Sequence, residues 1–213
     1  MSPRVTVVDY GVGNVHSVLK ALNAAGAEAQ LSTDPDAVRT ADRLVLPGVG
    51  AFGDGIRELH QRNLVEPLKT FAECGRPFLG ICLGMQLLLS ESNEFGHHAG
   101  LGVIPGKVTL LRPPVGVKVP HIGWNRIAPP SGTSWDNSAL EGLPAGTMVY
   151  FVHSYTAEPV DPRHRLADAT YGGCLVSAAV RRDNVIGLQF HPEKSGPIGL
   201  RVLRHFLGEK THG

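Results

Sequence analysis

The sequence is short of net charge and of cysteine, and it has no long apolar run. Twenty Lys and Arg residues stand against nineteen Asp and Glu, a formal charge of +1, so neither the basic footprint of a nucleic-acid binder nor an acidic tail is present. No stretch approaches the roughly 18 uninterrupted apolar residues of a membrane span. Met1-Ser2-Pro3-Arg4 runs straight into the strand-like Val5-Thr6-Val7-Val8, an apolar run far shorter than the core of a signal peptide. Cys74, Cys82 and Cys174 lie far apart without a Cys-x-x-Cys pair. That spacing argues against a disulfide framework or a zinc site, and for a reducing, cytoplasmic setting. His97-His98 lacks a carboxylate or cysteine at ligand spacing, so no metal is expected there. With no internal repeat or low-complexity tract, 213 residues of 42% hydrophobic content suit a single domain over 1–213.

What is present is an alternation of short apolar runs, glycine loops and helical spacings. Arg4 to Asp9 reads as a strand, and Val15, Val18, Leu19 and Leu22 then recur at helical spacing until Gly26. The loop between them, Asp9-Tyr10-Gly11-Val12-Gly13-Asn14, resembles a dinucleotide-binding turn. Its third glycine position holds His16, however, so a turn shaped by its glycines is the better account. Ala27 to Leu31 is a second strand, Asp34-Pro35-Asp36 opens a short helix, and Arg43 to Leu46 is a third strand. A glycine-rich loop, Pro47 to Gly55, leads to a helix carrying Ile56, Leu59, Leu64 and Leu68, which Pro67 is expected to interrupt.

Pro77-Phe78-Leu79-Gly80-Ile81-Cys82-Leu83-Gly84-Met85-Gln86-Leu87-Leu88-Leu89 follows as a strand, a sharp turn and a helix that Ser90-Glu91-Ser92-Asn93 ends. A Gly-x-Cys-x-Gly frame at such a turn is a nucleophile elbow with cysteine in place of serine. Gly80 and Gly84 leave the space that side chains would deny. The same spacing also fits a buried cysteine in a tight corner. After Glu94 the helices stop, and strand candidates succeed one another at Lys107–Leu111, Gly123–Ile127, Met148–Val152, Cys174–Arg181 and Val185–Phe190, the last two joined by Arg182-Asp183-Asn184. A helix from Pro197 to Leu207 closes the chain, and the tail from Glu209 to Gly213 is expected to fray. The pattern predicts an α/β fold of three layers, with a mainly parallel central sheet flanked by helices and a smaller antiparallel strand layer. Ligands in such folds sit at the carboxyl ends of the strands, where Cys82 and the Pro47 to Gly55 loop both fall.

His191-Pro192-Glu193 is the second informative cluster. A residue before proline is pushed to extended geometry, so His191 and Glu193, two apart, can face the same way. Alone this is equally a structural turn with an ion pair. Beside a cysteine elbow it supplies a base and the carboxylate that orients it. The order Cys, His, Glu differs from papain-type peptidases, whose third member is an amide. Acyl transfer also needs two N–H groups aimed at the oxyanion: Leu83, after the nucleophile, offers one, and Val49 or Gly50 in the glycine loop offers the other.

Gly80-Ile81-Cys82-Leu83-Gly84-Met85-Gln86 together with His191-Pro192-Glu193 resembles the triad-type class I glutamine amidotransferases, which hydrolyse glutamine and pass ammonia to a synthase. Pro47 to Gly53, Pro120-His121-Ile122-Gly123-Trp124-Asn125 and Tyr150 to Tyr155 extend the resemblance over essentially the whole chain. It implies Cys82 as nucleophile, His191 as general base and acid, and Glu193 as its orienting group. L-glutamine is the implied substrate, with Gly50, Gln86, Ser154 and Tyr155 as its contacts and no cofactor. The Asp9 to Asn14 loop with Asn14 itself, Trp124 and Lys194 resemble positions facing a separate, barrel-shaped cyclase subunit in a heterodimer. Two further readings stay open on sequence: a free-standing hydrolase of γ-glutamyl or peptide bonds, and a ligand-binding module without catalysis.

Overall fold

In a computed structural model, which describes residues 2–209, strand and helix alternate through the first part of the chain. The order is β1 (Arg4–Val8), α1 (Val15–Ala24), β2 (Glu28–Ser32), α2 (Pro35–Thr40), β3 (Leu44–Leu46), α3 (Phe52–Gln61), α4 (Val65–Glu73), β4 (Phe78–Ile81) and α5 (Leu83–Leu87). Strands then follow: β5 (Leu89–Ser92), β6 (His98–Ala99), β7 (Ile104–Leu110), β8 (His121–Ile127), β9 (Thr147–His153), β10 (Tyr155–Pro159), β11 (Arg165–Tyr171), β12 (Cys174–Arg182) and β13 (Val185–Leu188). Helix α6 (Gly196–Phe206) comes last. The expected fraying of the tail falls mainly on residues 210–213, outside the described residues. No helix among the described residues is long and apolar enough to cross a membrane.

The central sheet has seven strands in the order β11-β12-β13-β4-β3-β1-β2. From β13 to β2 all pairings are parallel, while β12 and β11 continue the sheet antiparallel. Period-two alternation sorts each strand between two cores. Val5, Val7, Val45, Leu79 and Ile81 pack with α1 and α6 residues such as Leu22, Val202 and Phe206. Val8, Leu44, Leu46 and Phe78 pack with Phe52, Leu59, Leu68 and Phe71 of α3 and α4. Strands buried on both faces need such continuous apolar runs, which is why β1, β3 and β4 were legible. The smaller layer consists of a four-stranded sheet, β10-β7-β5-β6, and the β8–β9 hairpin.

Several local expectations are corrected. The elbow helix ends at Leu87, not Leu89, and Leu89–Ser92 is a strand, not a breaker. The carbonyls of Leu87, Leu88 and Leu89 accept from Leu101, Ile104 and Gly102, so tertiary pairing replaces helical bonds. Helix α3 begins at Phe52, inside the stretch read as loop, because the Glu94 carboxylate accepts the Phe52 N–H at 2.7 Å and caps it from 42 residues away. Pro67 does not interrupt a helix. The break falls at Asn63, with φ 55, and Pro67 lies in the first turn of α4, where its missing N–H costs nothing. Strands β5, β6, β10 and β11 went unread.

The carboxyl ends of β3, β4 and β13 meet at one edge, and there the packing is tightest. A Cβ on Gly84 would lie 1.8 Å from the Leu46 carbonyl oxygen, a backbone atom that cannot yield. Gly84→Ala is therefore expected to destabilise the fold by about 3 kcal/mol or more, at the upper end of overpacking costs. Urea unfolding measures it, and near-wild-type stability would refute this account of the glycine.

Candidate active site

Cys82 stands between β4 and α5 with φ 54 and ψ −111, a conformation that costs a non-glycine residue about 1–3 kcal/mol. The sheet holds it there. Its N–H donates to the Leu188 carbonyl at 2.7 Å, and its own carbonyl accepts from the Gln86 N–H at 3.1 Å. A side chain at Gly80 would meet the Gly84 carbonyl at 2.9 Å, so the bend closes only with glycine there. The sulfur lies 3.8 Å from the Val152 carbonyl, to which the thiol donates, and 3.8 Å from Gln189 Nε2, which donates to it.

His191 and Glu193 come together, but not through an extended segment. Only His191 is extended; Pro192–Lys194 form a 3-10 turn that folds Glu193 back beneath the ring. His191 Nδ1 is 2.7 Å from Glu193 Oε1, with both side chains at most 3% exposed. The backbone is clamped as well. The His191 N–H donates to the Tyr150 carbonyl at 2.9 Å, while the Ser195 hydroxyl donates to the His191 carbonyl at 2.7 Å and accepts the Tyr150 N–H at 3.0 Å. Nε2 has no protein hydrogen-bond partner. Burial opposes a charge on His191, but the nearby Cys82 and the Glu193 carboxylate outweigh it, and the imidazole pKa is raised to about 9. A carboxylate on Nδ1, an unpartnered Nε2 and a nearby thiol are the group types that a nucleophile, a base and its orienting acid require.

The expected oxyanion donors do not converge. The Leu83 N–H donates to the Gly48 carbonyl at 3.3 Å, so the Gly48–Val49 peptide presents its oxygen to the position where an N–H was expected. In a planar trans peptide the Val49 N–H then points the opposite way. The loop is anchored by Tyr10, fully buried, whose hydroxyl donates to the Pro47 carbonyl at 2.8 Å. Burial first, and Cys82 second, push the Tyr10 phenol far above its ordinary pKa, so it remains a donor.

Among the other expected residues, Gln86 is buried, with Nε2 donating to the Tyr155 carbonyl at 3.2 Å and to Gln189 Oε1 at 2.9 Å. The Ser154 carbonyl accepts the Leu111 N–H, and its side chain is only half-buried beside Tyr155. Trp124 and Lys194 converge on Tyr150: the Trp124 ring meets it edge-on at 6.0 Å, and Lys194 Nζ lies 5.8 Å above it. Asn14 is exposed but spends its side chain capping α1 through the Ser17 N–H at 3.2 Å. Two residues were missed. Gln189, fully buried, bridges Gln86 and Cys82; a glutamine closing an apolar strand was the available signal. Glu94, also buried, raises the pKa of Tyr155 after the larger effect of burial, and so lies near the same wall. A concavity of about 540 Å³ between Lys69, Glu73, Val103 and Arg182 is at the amino ends of β4 and β13, away from this chemistry.

Residues 6–209 match the family model for glutamine amidotransferase class-I. The chain belongs to the class I glutamine amidotransferases. It is 50% identical over 209 residues to imidazole glycerol phosphate synthase subunit HisH 1 of Legionella pneumophila strain Lens, covering 95% of this chain and 98% of that one. It is 49% identical over 207 residues to the HisH subunit of Aquifex aeolicus, covering 95% of each. Among solved structures it resembles a glutamine amidotransferase with TM-score 0.72 and 20% identity, covering 95% of this chain and 97% of that one. PurLQS from Thermotoga maritima gives 0.71 and 21%, covering 98% and 99%. These two likenesses speak for the fold.

The shifted histidines set a pH dependence of stability. For His191 the folded pKa is raised, so its contribution is full below its ordinary value of about 6.5 and is lost as pH rises through about 9. Burial lowers both His121 and His153 to about 4, so their contribution is full above about 6.5 and is lost as pH falls through about 4. Unfolding free energy should peak near pH 6.5, and Glu193→Gln should flatten the alkaline limb. Denaturant titrations across pH measure this, and an unchanged alkaline slope in the variant would remove Glu193 as a cause.

Proposed function

We propose that the chain is the glutaminase subunit of imidazole glycerol phosphate synthase, working as one amidotransferase domain in the cytoplasm. It hydrolyses L-glutamine to glutamate and ammonia, and delivers the ammonia to a cyclase subunit that makes imidazole glycerol phosphate and aminoimidazole carboxamide ribotide in histidine biosynthesis. The observation that carries this reading is the buried His191–Glu193 pair close to Cys82, with His191 Nε2 left without a hydrogen-bond partner. Three free cysteines support the reducing compartment.

In the reaction Cys82 Sγ attacks the side-chain amide carbon of glutamine, and the charge moves to the carbonyl oxygen. His191 gives its Nε2 proton to the amide nitrogen, the C–N bond breaks, and ammonia leaves with a γ-glutamyl thioester on Cys82. Neutral His191 then takes a proton from water, hydroxide adds to the thioester carbon, and the C–S bond breaks to release glutamate. Gln86, Gly50, Ser154 and Tyr155 hold the substrate, with Glu94 available to its α-ammonium. Leu83 and Val49 serve the oxyanion once the Gly48–Val49 peptide rotates, which frees one N–H and turns the other inward. The turn changes ψ of Gly48 and φ of Val49, and Gly48 brings no Cβ to restrict its half of it.

Docking of the cyclase is assigned to the outer face of the β8–β9 hairpin, where Ile122, Trp124 and Met148 are exposed, with Lys194 alongside. A water-excluding interface there keeps ammonia from being lost as ammonium.

Cys82→Ala should abolish glutamate release while circular dichroism stays that of the wild type; substantial turnover would sink the assignment. Because one oxyanion donor is spent in the free chain, the isolated subunit should be slower than its complex with the cognate cyclase by on the order of 100-fold. Glutamate release with and without the partner measures this, and full activity of the free chain counts against it.

A further inference from the structure

The reaction leaves unused a buried polar chain that starts on the docking hairpin and ends at the nucleophile. Asn125, next to Trp124 on β8, donates from Nδ2 to the Thr170 carbonyl at 3.0 Å, and the same nitrogen is 3.3 Å from His121 Nε2. His121 Nδ1 is 2.9 Å from His153 Nε2, and His153 Nδ1 is 2.8 Å from the Tyr155 carbonyl. That carbonyl also accepts from Gln86 Nε2, which donates to Gln189 Oε1, whose own amide reaches Cys82 Sγ.

Donor and acceptor chemistry leaves one assignment for the rings. A carbonyl only accepts, so His153 carries its proton on Nδ1 and offers Nε2 as an acceptor. His121 must then donate from Nδ1. Its Nε2 accepts from Asn125, whose Oδ1 is already taken by the Arg126 N–H at 2.8 Å. Both rings are neutral in this arrangement, and a second proton on either would set two donors against each other. Burial agrees, with His121 at 2% and His153 at 6% exposure. The plane of His121 is fixed as well, stacked between Tyr171 and Phe151 at 4.0 and 4.7 Å.

We propose that His121 and His153 are positioning residues of the glutaminase site, a neutral one-way donor chain that holds the Tyr155 carbonyl and, through it, the Gln86 side chain in the geometry that binds glutamine. The inference rests on the glutaminase reading above. Donation by His121 stabilises the His153 tautomer that the Tyr155 carbonyl requires. A residue remote from the substrate, on the strand that carries the docking face, thereby sets the orientation of a substrate contact.

The test uses the full chain in complex with its cyclase. His121→Phe keeps the ring stack but removes the donor, whereas His121→Asn retains an N–H near the position of Nδ1. His121→Phe should raise KM for L-glutamine about tenfold, near the worth of one hydrogen bond, with kcat within about twofold, and His121→Asn should recover most of the loss. A general folding defect would lower kcat through the active fraction and leave KM alone. That result, or wild-type values in the Phe variant, overturns the proposal. Ring 15N shifts of the wild-type chain near neutral pH supply a measurement independent of turnover. Both histidines should be neutral Nδ1–H tautomers, and a charged or Nε2–H form of either overturns the assignment. A wild-type complex that released no glutamate would refute the glutaminase reading instead, while the tautomers would still decide the positioning chain.

Discussion

The bend at Cys82 is the constraint from which the rest of the site is measured. A left-handed backbone at a non-glycine residue persists only where its surroundings over-determine it. Here the parallel sheet does so, because the Cys82 N–H completes the ladder to Leu188 while the turn behind it is bonded back to the Cys82 carbonyl. The glycines at 80 and 84 are consequences of the same bend, since α5 must approach β3 and β4 more closely than any Cβ allows. Stability of the central sheet and exposure of the sulfur are therefore one property.

The β8–β9 hairpin divides its two faces between the outside and the site. Outward it shows Ile122, Trp124 and Met148; inward it buries His121, Val149, Phe151 and His153. The carbonyls of β9 and of the first residue of β10 do three jobs in succession. That of Tyr150 fixes the His191 backbone, that of Val152 faces the sulfur, and that of Tyr155 holds Gln86. The hairpin's exposed outer face and the inner face that meets His191 and Cys82 are thus two sides of one paired unit.

Legibility followed the range of the interactions. The strand–turn–helix at Cys82 and the Asp34 cap of α2 depend on residues within a few positions, and both were readable; the Asp34 side chain accepts the Asp36 N–H at 3.0 Å. His191 and Glu193 were paired correctly for an incomplete reason, since the proline delivers a 3-10 turn after one extended residue. What failed was set by distant partners. Leu88 and Leu89 satisfy helix and strand patterns alike, and only pairing with β7 decides between them. Glu94 caps a helix that precedes it by 42 residues. The His121–His153 contact exists because β8 and β9 pair in one register, with His121 opposite His153; one residue of slip would send both rings to solvent. The Gly48 carbonyl at Leu83 is a peptide orientation, which no residue type encodes.

That last bond also explains how little a partner must contribute. At 3.3 Å the Leu83 to Gly48 hydrogen bond is long, and a bond of this kind contributes about 1 kcal/mol net. Turning the peptide forfeits that bond and changes only ψ of Gly48 and φ of Val49. A ligand shifts such an equilibrium only by its differential affinity for the two states. Burying one exposed aromatic such as Trp124 in an interface is worth about 2 kcal/mol or more. A partner whose contacts favoured the turned peptide by that much would outweigh the one hydrogen bond that holds it. In the free chain the His191–Glu193 pair is thus already in place beside Cys82 while the Leu83 N–H is spent on the Gly48 carbonyl, so the peptide can turn without either side chain moving.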